Sequence, residues 1–309
     1  MKSIFLWEAR NVCKGDPVAI AELIAAAGFE RVDVKAADGT HHFKDWLGNE
    51  ICTPALVSAL HAHGLRVFGW GFNYGWGDGS NPKGEGLVAA EQVRLLGLDG
   101  WIFDVEGEIT VKDPVGAAQQ IIGNFRDKQP DVPAGFCYFS ILHNPQAPHF
   151  WEWHNQAIIP IFMAGCNFAA PMVYWDLLLS GIPTNPVVTY ANQVLAAEGW
   201  LTESVKQWRA ATDKPLQPVG RAYDHQATPS AVLAFEQTNR ALGCQGINWW
   251  DLDLAWNNAA LWPALTSIPK YGAPPRKFDD LDPAGKFAVL KRTAQKSGEI
   301  DAAGNVIGG

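Results

Sequence analysis

Residues 101–108 read WIFDVEGE, an apolar run that ends abruptly in three carboxylates. A short, nearly continuous apolar run is typical of a strand buried on both faces, as strands of parallel sheets are. Side chains two apart on a strand point the same way, so Asp104 and Glu106 should share one face, with Cα atoms roughly 6.6 Å apart at ~3.3 Å per residue. The stretch therefore predicts a buried parallel strand that brings two carboxyl groups to one site.

Seven further strand-like runs alternate with helix-like segments along the chain. Several of the helical segments begin at Asp, Thr or Asn, as helix caps do, and end at Gly64, Gly97 or Gly243. Eight repeats of strand and helix predict an α/β fold, a single (β/α)8 TIM barrel, with a doubly wound sheet as the alternative. The eight strand candidates are SIFLWEA, RVDVKAA, RVFGWGF, WIFDVEG, AGFCYFS, FAAPMVYW, QPVGRAY and GINWWDLD.

The repeating pattern ends near Pro269. Residues 1–268 are predicted to form the barrel, and residues 269–309, rich in Pro, Gly and charge, a C-terminal tail or linker. Residues 75–86, GWGDGSNPKGEG, are expected to form a mobile loop at the mouth of the barrel.

Composition excludes several classes of function. The formal net charge of −8 and the pI near 5.5 provide no basic surface for nucleic acid. No apolar run approaches the ~20 residues of a membrane span, and the first residues lack the apolar core of a signal peptide. The five cysteines form no C-x-x-C pair and are expected to be free thiols. The eight histidines show no metal-ligand spacing, so neither a metal nor a cofactor is predicted.

In a barrel of this kind the active site lies at the carboxyl ends of the strands, so polar residues at those ends are the candidates. Carboxylates beside flat aromatic faces are typical of a carbohydrate site, and two close carboxyl groups drive each other's pKa values apart. Such acids can equally cap the next helix or pair with a nearby cation. The polar candidates are Glu8, Lys35, Asp38, Asp104, Glu106, Asp224, Asp251 and Asp253.

Several segments together resemble the family 25 glycoside hydrolases, barrel lysozymes that cleave peptidoglycan. These segments are VKAADGT (34–40), LRVFGWGF (65–72), FDVE (103–106) and WWDLDLAW (249–256). The resemblance implies that Glu106 is the general acid, Asp104 its partner and Asp251 a supporting carboxylate. The chain departs from that family at Glu8, where the family has an aspartate, and at Gly71, where it has a histidine.

A more distant resemblance is to the family 18 chitinase-like barrels, whose fourth strand reads D-x-x-D-x-D-x-E. Asp99, Asp104 and Glu106 fit that pattern, whereas Ile102 replaces its second acid. The resemblance implies a mechanism that uses the N-acetyl group of the substrate itself. Both resemblances agree on Glu106.

The sequence thus predicts a lysozyme-like glycosidase that cleaves peptidoglycan or a related polysaccharide. The alternatives are a chitinase-like enzyme and a non-catalytic carbohydrate-binding or phage virion barrel. We expect synthesis in the cytoplasm without a signal peptide, and action on cell wall or extracellular glycan after lysis or within a virion. Glu106 and Asp104 are the predicted catalytic pair, supported by Glu8, Asp251 and Lys35. The predicted substrate-binding residues are Trp7, Tyr74, Tyr138, Tyr174, Trp175 and Trp249.

Overall fold

The computed structural model describes residues 1–143, 155–175, 193–223 and 227–271. Eight parallel strands form a closed barrel, because the first strand pairs with both the second and the last. A two-residue strand, His41–His42, pairs antiparallel with the end of the second strand. This architecture confirms the predicted (β/α)8 barrel. The barrel strands are β1 (Lys2–Leu6), β2 (Arg31–Asp38), β3 (Arg66–Asn73), β4 (Gly100–Val105), β5 (Ala134–Phe139), β6 (Phe168–Val173), β7 (Val219–Arg221) and β8 (Ile247–Trp250).

Helices follow the strands and surround the barrel. Five of them begin with a side-chain cap followed directly by proline, which lacks the N–H that a first helical residue would leave unpaired. None of the described helices has the length and apolarity needed to cross a membrane. In the described ranges the helices are α1 (Pro17–Ala26), α2 (Pro54–Ala62), α3 (Pro82–Leu96), α4 (Pro114–Lys128), α5 (Ile159–Gly165), α6 (Gln193–Ala211), α7 (Pro229–Ala241), α8 (Leu252–Ala255) and α9 (Leu261–Ser267).

Side chains alternate between two apolar clusters along each strand. One cluster fills the interior of the barrel, and the other lies between the strands and the helices. In β3, for example, Phe68 and Trp70 point inward, whereas Val67 points toward the helices. The parity of a residue on its strand therefore decides whether it can reach the barrel mouth. The interior cluster contains Phe5, Phe68, Trp70, Ile102, Cys137, Phe168, Ala170, Met172 and Val219.

A buried polar network closes the barrel at the amino ends of its strands. Arg31 binds the Asp33 carboxylate through two nitrogens, at 2.7 and 3.1 Å, and donates to Asn248 at 2.7 Å and to Ser3 at 3.1 Å. A further nitrogen donates to Gln217 at 3.0 Å. Because this network seals one end, only the carboxyl ends of the strands can open into a ligand cavity.

The glycine-rich segment 75–86 is anchored, contrary to the expectation of a mobile loop. Glu85 is buried and accepts hydrogen bonds from Asn73 at 3.1 Å, from the Tyr74 N–H at 3.0 Å and from Ser80 at 2.6 Å. Asn81 caps α3, so residues 82–86 belong to the first turns of that helix. One buried carboxylate thus ties the connection after β3 to the strand end.

Contacts with the barrel continue past residue 268, the predicted end of the barrel, as far as Tyr271. The Tyr271 N–H donates to Glu30 at 3.2 Å, and the Tyr271 hydroxyl accepts from Asn239. The guanidinium of Arg240 lies 4.2 Å from the centre of the Tyr271 ring. Residues 269–271 thus pack against the barrel, and the rest of the predicted tail lies outside the described residues.

Candidate active site

The two predicted catalytic acids come together in a cavity at the carboxyl end of the barrel. Asp104 is on β4 and Glu106 directly follows that strand, so both side chains face the interior. The cavity has a volume of about 250 Å³. Its described lining consists of Phe5, Trp7, Lys35, Trp70, Phe72, Asp104, Glu106, Cys137, Met172, Tyr174 and Trp250.

The two carboxyl groups have separated pKa values. Burial raises the pKa of Glu106 to about 8, and the negative charges of Asp104 and Glu108 contribute to that shift. Burial also raises the pKa of Asp104 to about 6, but the Lys35 ammonium and the Cys137 thiol oppose the increase. At neutral pH Glu106 is therefore mainly protonated and Asp104 mainly ionised, an arrangement that supplies a proton donor beside a negative charge.

Lys35 is the cation of the cavity lining. Its Nζ lies 4.1 Å from the centre of the Trp70 ring and 3.4 Å from the Asp38 carboxylate. Burial lowers the pKa of Lys35, whereas the charges of Asp38 and Asp104 favour its ammonium form. Lys35 thus pairs with Asp38 and also faces the acid pair.

Aromatic rings form much of the cavity wall. The Trp250 ring centre lies 5.3 Å from that of Trp70, 5.4 Å from Phe5 and 5.8 Å from Trp7. The peptide bond that follows Trp250 is cis. Tyr174 contributes a hydroxyl, and burial raises its pKa well above its ordinary value, so the hydroxyl stays protonated. Flat apolar faces with a neutral polar group suit the faces and hydroxyls of a sugar ring.

Two buried polar atoms of the cavity have no hydrogen-bond partner within the described residues. One is the Trp70 Nε1–H, a donor, and the other is Asp104 Oδ1, an acceptor. A buried polar group without a partner costs free energy, which a ligand can recover by supplying the partner. A ligand that offers both an acceptor and an N–H or O–H donor matches this pair.

Cys137 was missed as a site residue. It is the register partner of Asp104 on the neighbouring strand, and its thiol lies beside that carboxyl group. Burial raises the pKa of Cys137 well above its ordinary value, so it faces Asp104 as a neutral thiol. Phe5 and Met172 also line the cavity and were not predicted. Phe5 is two residues before Trp7, and Met172 is two residues before Tyr174, so each points to the same side of its strand as that aromatic residue. This spacing could have identified them.

Three predicted substrate-binding aromatic residues lie outside the described cavity lining. Tyr138, Trp175 and Trp249 are fully buried between the strands and the helices. The Tyr138 hydroxyl accepts the Asn155 N–H at 3.1 Å. Trp175 and Trp249 both pack against Phe235, at ring distances of 5.3 and 5.5 Å. Each side chain points from its strand toward the helices, so a ligand in the barrel mouth cannot reach it.

Two of the predicted supporting carboxylates have structural contacts instead of lining the cavity. Glu8 pairs with Arg10 at 3.2 Å. Asp251 caps α8 by accepting the Leu254 N–H at 3.0 Å, although burial raises the pKa of Asp251 to about 7.

Asp253, another strand-end candidate, accepts the N–H groups of Trp7 at 3.1 Å and Glu8 at 2.5 Å, and so fixes the end of β1. Tyr74 lies outside the cavity lining, with its hydroxyl 3.5 Å from Asp38. Asp224 lies outside the described residues. Within the described ranges no group of three His, Cys, Asp or Glu side chains could hold a metal ion.

No family model matches this chain, and no curated protein matches it in sequence. Solved structures share its fold at low identity. A mutant class V chitinase from Cycas revoluta, in complex with (GlcNAc)3, aligns with a TM-score of 0.60 and 10% identity over 87% of this chain and 99% of its own.

An endo-1,4-β-D-mannanase from Thermotoga petrophila aligns with a TM-score of 0.58 and 10% identity, covering 93% of this chain and 99% of its own. The spore cortex-lytic enzyme SleL from Bacillus megaterium aligns with a TM-score of 0.55 and 12% identity, covering 89% of this chain and 75% of its own. These similarities establish the barrel fold.

Proposed function

We propose that this protein is a glycoside hydrolase that cleaves a polysaccharide containing N-acetylhexosamine, with Glu106 as the general acid. The observation that carries the proposal is the acid pair. Glu106 remains protonated near neutral pH beside an ionised Asp104, in a cavity walled by aromatic rings. A protonated carboxyl group of this kind can donate to the oxygen of a leaving sugar.

The composition of the cavity favours a mechanism that uses the substrate's own amide. Hydrolysis with two protein carboxylates places them on opposite sides of the scissile bond. Here Asp104 and Glu106 are neighbours on one strand end, and they are the only acids in the described cavity lining. In the strand order β8 lies across the barrel from β4 and pairs with β1, and the lining residues at the ends of β8 and β1 are Trp250 and Trp7. No described side chain is therefore placed as a nucleophile opposite Glu106.

An N-acetyl group supplies both the missing nucleophile and partners for the cavity. Its N–H can donate to Asp104 Oδ1, and its carbonyl oxygen can attack the anomeric carbon. As that bond forms, the bond to the leaving sugar breaks and Glu106 gives its proton to the departing oxygen. The ionised Asp104 stabilises the positive charge that develops on the amide as the oxazolinium ring closes.

The second step reverses the roles. Glu106, now a carboxylate, takes a proton from the water that attacks the anomeric carbon, which reopens the ring and restores the N-acetyl group. One glycosidic bond is hydrolysed by one water, and the configuration at the anomeric carbon is retained. Trp250, Trp7 and Tyr174 provide the sugar-binding surfaces on the other walls.

Chitin and the glycan of peptidoglycan both contain N-acetylglucosamine and are the substrates that we propose. The chitinase complex with (GlcNAc)3 and the spore cortex-lytic enzyme, both of the same fold, support these two choices. Peptidoglycan, the substrate of the lysozyme-like enzyme predicted from the sequence, is thus one of the two proposed substrates. A mannan lacks the amide and is not expected to be cleaved.

The experiment compares hydrolysis of N-acetylated chitin oligosaccharides, their de-N-acetylated counterparts, peptidoglycan and mannan. Turnover confined to N-acetylated glycans, with the β-anomer seen first by NMR, supports the proposal. Equal cleavage of de-N-acetylated oligosaccharides, or inversion, would overturn the mechanism. Binding without turnover would instead identify a non-catalytic carbohydrate-binding barrel.

A further inference from the structure

An exposed tryptophan lies on a loop at the same end of the barrel as the cavity. Among the described residues, Trp46 is the most exposed large apolar side chain, at 78%, and Leu47 beside it is 59% exposed. Both lie at the tip of a short hairpin, residues 44–50, in the connection from β2 to α2. That connection leaves the carboxyl end of the barrel, where the cavity opens.

The hairpin is held in one conformation. Its Asp45 is buried and accepts hydrogen bonds from the N–H groups of Leu47 at 2.8 Å and Asn49 at 2.9 Å. The Asp45 N–H donates to the Asn49 carbonyl at 2.8 Å, and the Gly48 N–H to the Asp45 carbonyl at 2.9 Å. These bonds fix the backbone that carries Trp46 before any ligand binds, so the hairpin itself adds little to the ordering cost of binding.

Arg10 links this hairpin to the cavity wall. Its guanidinium lies 5.0 Å from the centre of the Trp46 ring, and it pairs with Asp45 at 3.3 Å and with Glu8 at 3.2 Å. Glu8 directly follows Trp7, which lines the cavity and is 43% exposed. The cavity aromatic residues and Trp46 are therefore connected at one end of the barrel through a short chain of contacts.

The contacts of Arg10 favour an uncharged ligand on the Trp46 ring. Two carboxylates match the charge of Arg10, so Arg10 does not present an unpaired cation to a ligand. Arg10 lies over one part of the ring, and most of the ring remains open to solvent. Trp46 and Leu47 alone are also too small an apolar surface for a protein interface, which needs about 800 Å² on each partner.

We propose that Trp46 is an outer sugar-binding platform, on which a polysaccharide chain continues after it leaves the cavity past Trp7. The inference rests on the proposed function and extends it, because it makes the natural substrate a polymer of several sugars. The cavity, at about 250 Å³, is below the ~300–1,000 Å³ of typical ligand pockets, so most of a polysaccharide must lie outside it.

The test measures binding in the Glu106→Gln background, so that no substrate is consumed. The probes are chitin beads, peptidoglycan sacculi and the disaccharide N,N′-diacetylchitobiose. Adding Trp46→Ala should weaken binding to a polymer about tenfold, a loss of ~1.4 kcal/mol, and leave the disaccharide affinity unchanged. The polymer affinity of Trp46→Phe, which keeps an aromatic face, should lie between those of Trp46 and Trp46→Ala.

The matched control is Leu95→Ala, an exposed apolar residue in the last turn of α3, at the opposite end of the barrel. It should change neither affinity. Unchanged polymer binding by Trp46→Ala, or equal losses for polymer and disaccharide, would overturn the platform. If polymer binding depends on Trp46 but the wild-type protein shows no turnover, the proposed hydrolase activity would be rejected and the role of Trp46 in sugar binding would be retained. Absence of polymer binding would overturn both.

Discussion

Glu106 lies two residues beyond Asp104 at the end of β4, and both carboxyl groups face one cavity. This closeness has an electrostatic consequence, since each negative charge makes ionisation of the other less favourable. Lys35 faces the same pair from β2 and acts in the opposite direction. The active form, with Asp104 ionised and Glu106 protonated, should therefore dominate between pH values of about 6 and about 8.

Asp104→Asn should remove most turnover and move the alkaline limb of the remaining activity to lower pH. The charge of Asp104 is one of the causes that raise the pKa of Glu106, so without it Glu106 loses its proton at lower pH. The pH dependence of kcat on an N-acetylated glycan measures the shift. An alkaline limb that stays in place would mean that the two carboxyl groups are not coupled.

Lys35→Met should displace both limbs of the pH profile to higher pH. The Lys35 charge lowers the pKa of Asp104 and of Glu106, so its removal raises both. Lys35→Arg keeps a cation and serves as the control, with a profile near that of the wild-type protein. A Lys35→Met profile displaced to lower pH, or unchanged, would contradict the assigned role.

The acid pair could be predicted from the sequence because it follows a continuous apolar run, and the eightfold repeat placed that run in a barrel. The side on which each neighbouring aromatic residue lies could have been predicted as well. Counting in steps of two from Asp104 and Glu106 places Ile102 inside the barrel and Phe103 outside. The same count on β8 separates Trp250 from Trp249, which the sequence prediction did not do.

Other parts of the site depend on contacts between distant segments. Asp104 and Cys137 come together through the register of β4 and β5, which no single run of sequence specifies. Glu8 has the expected position at a strand end, but its ion pair with Arg10 forms in the following loop. Such pairings are tertiary contacts, and local composition does not determine them.

Arg31→Met should destabilise the fold without a direct effect on the cavity. The change leaves the fully buried Asp33 carboxylate without its cation, and breaking a buried pair in this way typically costs about 3–5 kcal/mol. The free energy of unfolding, from urea denaturation at pH 7, measures the loss. Arg94→Met, at an exposed position on α3, is the control and should stay within about 0.5 kcal/mol of wild type.

A chain that ends after Tyr271 should melt at nearly the same temperature as the full chain. Ending it after Ile268 should lower the melting temperature by several degrees, because the contacts of Tyr271 with Glu30 and Asn239 are lost. For a domain of this size each kcal/mol corresponds to about 2–4 °C. Equal melting temperatures for the two truncated chains would show that residues 269–271 add nothing to stability.

The central claim, that Glu106 delivers the proton in glycoside cleavage, is tested most directly by kcat of Glu106→Gln on a glycan that the wild-type protein hydrolyses. An amide keeps the size of the side chain but cannot deliver the proton, and general acid catalysis is typically worth about 10²–10⁴ in rate. We predict a loss of that order with substrate binding retained. Turnover within a few-fold of wild type would contradict the account.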